Sequence, residues 1–95
     1  MPSYLIESYL PRSRSGELGA AVDRLRRATE SLTAEGTRVR HLRSTFLPND
    51  ELCLHLLEAD SVALVSEASR RAAIEPARVV QALSVAGTDA PGGAP

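Results

Sequence analysis

The spacing of apolar residues along this chain switches repeatedly between a period of two and a period of 3.6. Residues 3–10 (SYLIESYL) are rich in aromatic and branched side chains and stop at Pro11, which predicts a strand. After a polar connection, Ser15 is the expected N-cap, with Glu17 placed favourably for the helix dipole. Apolar residues then recur at Leu18, Ala21, Val22, Leu25, Ala28 and Leu32, a helical stripe that Gly36 should close in the left-handed conformation. Residues 37–47 and 51–59 read as two strands joined by the turn formers Pro48, Asn49 and Asp50. Asp60 or Ser61 should cap a second helix carrying Val62, Val65, Ala68 and Ala72, and residues 78–85 (RVVQALSV) read as a last strand. The remaining 86–95, rich in Gly and Pro, have nothing to pack with and are expected to be a disordered tail.

The order βαββαβ predicts an α+β domain over residues 1–85: a four-stranded antiparallel sheet with both helices on one face, the ferredoxin-like arrangement. Right-handed crossovers place the first and third strands in the centre. A three-residue turn would set Leu47 opposite Glu51, Thr45 opposite Cys53 and Arg43 opposite His55. In that register Leu42, Phe46, Leu52, Leu54 and Leu56 form the helix-covered face. The open face should then show Glu7, Tyr9, His41, Arg43, Thr45, Cys53, His55, Leu57, Val80 and Ala82. With Leu5, Val39, Leu57 and Val80 exposed on that face, a 95-residue chain is expected to pair with a second copy.

Charge and composition narrow the partners. The net charge of −1 argues against a global attraction to nucleic acid or anionic membranes. All 11 basic residues are Arg, and the Arg24, Arg26, Arg27 run reads as a solvated helix face because no aromatics interleave with it. A lone Cys53 excludes an internal disulfide, the first residues lack the regions of a signal peptide, and no apolar run approaches the ~20 residues that cross a bilayer. The expectation is a soluble, cytoplasmic protein.

Both histidines and the single cysteine fall on the predicted open face, and His, Cys and carboxylate are the side chains that bind late first-row metals. Cys53 and His55 would stand about 7 Å apart along one strand face, at ~3.3 Å per residue. Glu7, in mid-strand, needs a donor such as Arg43 or a histidine. No Ser–His–Asp order, phosphate-cradling loop or pair of catalytic carboxylates is present in the sequence.

The stretch VRHLRSTFLPNDELCLHLLEADSVALVSEASRRAAIEPARVVQAL and the opening PSYLIESYLP resemble the small nickel-binding, ferredoxin-like proteins, most of whose members have no assigned function. The resemblance covers residues 2–85 and rests on Glu7 after the apolar triplet, Ser44-Thr45-Phe46 before Pro48, Glu51 to Cys53 at the turn exit, Glu58-Ala59, and Arg70-Arg71-Ala72. It implies a homodimer and binding of nickel or another divalent transition metal. The chain departs from the family in placing His41 and His55 where relatives often carry an aromatic or a cysteine. The ligands expected here are His41 and His55, with Cys53 or Glu7 completing the shell. The leading expectation is therefore a non-enzymatic homodimeric binding protein with a metal on its open face. The alternative is a dimeric α+β-barrel enzyme, like the cofactor-free monooxygenases or cyclases, holding a small apolar molecule.

Overall fold

Strand β1 (Ser3–Tyr9) leads through a 3-10 helix (Arg12–Glu17) into helix α1 (Leu18–Ala34). The hairpin β2 (Val39–Leu47) and β3 (Leu52–Ala59), helix α2 (Val62–Arg71) and strand β4 (Arg78–Ala82) follow. The structure, a computed structural model, describes residues 1–83 and 85. The expected tail over 86–95 lies outside the described residues. The sheet is antiparallel in the order β2-β3-β1-β4, with the first and third strands central as the crossover rule requires. This is the ferredoxin-like α+β arrangement. Among the described residues no helix is long and apolar enough to cross a membrane.

The helix ends follow local chemistry. Gly36 adopts φ +99°, and Thr37 returns both its N–H (3.2 Å) and its hydroxyl (2.7 Å) to the Leu32 carbonyl. A side chain at Gly36 would be strained in that conformation. Ser61, rather than Asp60, caps α2 by accepting from the Leu64 N–H at 3.4 Å. Ser15 does not cap α1: the 3-10 helix takes up residues 12–17, and α1 starts at Leu18. The last strand stops at Ala82, leaving Leu83 and Val85 exposed.

The helices cover the sheet face that carries Tyr4, Ile6 and Ser8 of β1, Val39 of β2, and Cys53, His55, Leu57 and Ala59 of β3. Against these pack Leu25, Ala28 and Leu32 of α1 and Val65, Ala68 and Ala72 at α2. This inverts the expected faces of the hairpin. The turn holds four residues, 48–51, not three, so Leu47 pairs with Leu52, Phe46 with Cys53 and Ser44 with His55. A one-residue slip sends every side chain of a strand to the other face. Glu51 supplies the extra residue at φ +52°, a conformation uncommon for a side chain other than Gly or Asn. It is held there because its carbonyl accepts from the Leu10 N–H at 2.9 Å and its carboxylate from the Arg12 N–H at 2.8 Å.

A bulge at Leu42 makes a second shift, since His41 pairs with Leu57 and Arg43 with Leu56. Leu42 is thereby exposed, and Leu52, Leu54 and Leu56, expected in the core, lie half-buried on the open face with Leu5 and Val80. Conversely, Val39 and Leu57, expected to be exposed, are core residues. Of the expected hairpin core only Phe46 faces the helices, opposite Cys53.

Candidate functional site

The bulge brings three polar side chains together on the helix-covered face. Because Leu42 is extruded, His41 and Ser44 both point to that side, and Ser44 lies directly across from His55. The Ser44 Oγ stands 2.9 Å from His41 Nε2 and 2.6 Å from His55 Nδ1. Ser44 has one hydroxyl proton and two lone pairs, so it can donate to one ring nitrogen while accepting from the other. Two arrangements satisfy this relay, and they differ in the direction of the hydroxyl proton and the tautomer of both rings. His55 is 1% exposed. Burial, helped by the neighbouring His41, pushes its pKa down to about 4, so the ring is neutral near pH 7. Burial also lowers His41, with a smaller push from Arg26, against the opposing effect of a backbone hydrogen bond at Arg43.

The two rings border different spaces. His41 lines a hollow of about 530 Å³ along the outer edge of β2, with Arg26, Thr29 and Thr33 across from it on α1. His55 lines a separate hollow of about 230 Å³ beside Cys53. Cys53 is a buried free thiol whose pKa is raised by burial, so it stays protonated.

Glu7 lies on the opposite, open face of the sheet, across from Leu54 and Arg78. Its donor is Arg78, with Nε 3.0 Å from Oε1, and not Arg43 or a histidine. The ion pair in turn raises the pKa of the Arg78 guanidinium. On the same face Leu5, Leu54 and Leu56, with Arg43 and Thr45, line a shallow hollow of about 240 Å³. Arg40 and Glu58 form a second ion pair on the same face at 2.9 Å.

The four expected metal ligands are thus divided by the sheet. His41, His55 and Cys53 face the helices, and Glu7 faces the other way in an ion pair. Among the described residues no group of three or more His, Cys, Asp or Glu side chains could hold a metal ion. The shell expected from the sequence does not fit. The two imidazoles, by contrast, converge on a single point, the Ser44 hydroxyl. Sequence reasoning passed over Ser44 and Arg78, because a lone serine in a strand and an arginine at a strand start carry no signature of their own. The Arg24, Arg26, Arg27 run is exposed as expected, with Arg26 paired to Asp23 and Glu30.

No family model matches this chain, and no curated protein matches it. Among solved structures the chain is similar to the crystal structure of SCO4226 from Streptomyces coelicolor A3(2), with a TM-score of 0.67 at 15% identity. The similarity covers 88% of this chain and 99% of that one, and at this identity it shows a shared fold.

Proposed function

We propose that this chain is a cytoplasmic, non-enzymatic binding protein that works as a homodimer, open face against open face, with a small apolar molecule held between the sheets. The observation that carries the reading is the position of the leucines. Leu5, Leu54, Leu56 and Val80 form adjacent cross-strand rows on a sheet face that no layer covers among the described residues. A second copy supplies an identical surface, and two-fold pairing buries both at once. The ion pairs on that face, Glu7 with Arg78 and Glu58 with Arg40, cancel their own charges within each copy. The shallow hollows over Leu5, Leu54 and Leu56 would face each other and form one lined chamber. A buried, reduced thiol at Cys53 is consistent with the cytoplasm.

Sedimentation at micromolar concentration is expected to show a dimer, and Leu56→Arg, which places a charge in the middle of the leucine row, is expected to give a folded monomer. A monomeric parent, or a variant that sediments like the parent, rules the reading out.

A second reading follows from the convergence of His41 and His55. In it, a divalent transition metal such as Ni²⁺ takes both imidazoles in place of the Ser44 hydroxyl, at the ~2.1 Å typical of metal–imidazole bonds. Calorimetric titration of the metal-free protein with Ni²⁺ should then show binding that weakens at least about tenfold in His41→Ala and fades as pH falls toward about 4, the lowered value of His55. Equal binding by parent and variant, or none at micromolar concentration, removes the metal from consideration and leaves the dimer reading intact.

A further inference from the structure

The hollow of about 230 Å³ beside Cys53 lies on the helix-covered side of the sheet, away from the open face and from the hollow that His41 borders. Its sheet wall is made by Ser8, Cys53 and His55, respectively 8%, 3% and 1% exposed, and its helix wall includes Leu18 and Arg24. The His55 Nδ1 is engaged by Ser44, which leaves Nε2 as the ring nitrogen able to meet a ligand. The Ser44–His41 relay can switch Nε2 between donor and acceptor without creating a net charge.

Arg24 is positioned differently from the other arginine at this site. Arg14 is neutralised by a double hydrogen bond to Glu17 at 2.8 and 2.9 Å. Arg24 uses only Nε, which donates to the Ala72 carbonyl at 2.8 Å. That bond ties α1 to the end of α2 and restrains the guanidinium at the cavity. Among the described residues no carboxylate lies within ion-pair distance of Arg24; Glu17, held by Arg14, is near enough to feel its charge but leaves its terminal donors open. A restrained guanidinium fork with free terminal donors is suited to a carboxylate.

We propose that this cavity binds a small organic monocarboxylate, its anionic end on the terminal nitrogens of Arg24 and its body against Leu18, Ile74 and the His55 ring. The volume is below the ~300 Å³ at which drug-sized sites begin, which limits the ligand to a small molecule. Glu75 at the same cavity opposes a second negative charge, which favours a mono-anion over a dicarboxylate.

The test is titration of the full chain with benzoate, followed by nuclear magnetic resonance, with benzamide as the neutral analogue. Benzoate should move the signals of Ser8, the Arg24 Nε–H and the His55 ring saturably, with a dissociation constant of about 1 mM or tighter. Benzamide should bind about tenfold more weakly, Arg24→Gln should lose about tenfold in benzoate affinity, and Arg24→Lys should retain part of it. Should Arg24→Gln fail to fold, Arg24→Lys and the benzamide comparison still decide. The proposal is overturned if benzoate produces no saturable shift at these residues, if benzamide binds equally well, or if the shifts centre on Arg43 of the open face.

Discussion

Lowering the pH from 6.5 to 4 is expected to remove about 3 kcal/mol of unfolding free energy through His55 alone, with the loss levelling off below about pH 4. The sign follows from where the proton binds. In the unfolded chain His55 takes up a proton near its ordinary value of 6.5, whereas in the folded state burial holds its pKa near 4. Between these values the unfolded state binds more protons, so acid favours unfolding. His41, also lowered by burial, adds in the same direction.

The carboxylates act in a different window. Glu67, held down to about 2 by hydrogen bonds from Arg70 and Arg71, contributes above its ordinary 4.5, and that contribution, reduced by solvent screening of this exposed group, is lost progressively as pH falls from 4.5 through about 2. Denaturant unfolding at a series of pH values, repeated on His55→Gln, separates the two. The variant should lose most of the limb between 6.5 and 4, keeping the part His41 contributes, and keep the one below. Direct titration of the His55 ring signals should give a value near 4, and a value at or above 6 would contradict the buried placement.

The second large effect concerns adjacent residues on β3. Leu57→Ala should cost about 2–5 kcal/mol and lower the melting temperature by about 10 °C or more, because Leu57 is fully enclosed among Tyr4, Ile6 and the helices. Leu56→Ala, one residue earlier but on the half-exposed face, should cost far less within the subunit and act mainly on association. The two truncations remove the same atoms, so the contrast reads out which face the helices cover. If Leu56→Ala is the more destabilising within the subunit, the strand is turned the other way. For a domain whose whole stability is on the order of 5–15 kcal/mol, the Leu57 loss alone could approach unfolding.

That contrast also marks where sequence reasoning stops. In β3 both alternate sets are apolar enough to be core: Leu52, Leu54 and Leu56 on one side, Cys53, Leu57 and Ala59 on the other. Alternation locates the strand but cannot choose between two such faces, and larger side chains bias the choice toward the leucines. The choice was made by the four-residue turn at Glu51 and the bulge at Leu42. Both depend on contacts from distant segments, such as the Leu10 and Arg12 N–H groups that hold Glu51. The smaller residues under the helices leave room for α1 and α2 to approach the sheet.

From the sequence by itself came the four strands and two α-helices, their order, the central position of β1 and β3, the Gly36 cap, a cap at Asp60 or Ser61, and the solvated arginine face. Each rests on local periodicity, local backbone preference or a handedness rule, and these act over a few residues or follow from chain connectivity. Only the tertiary structure decided which face of the hairpin is buried, that His41 and His55 meet through Ser44, and that Glu7 lies across the sheet with Arg78. Those outcomes depend on register, and a shift of a single residue, set by hydrogen bonds from elsewhere in the chain, moves a side chain from one side of the sheet to the other.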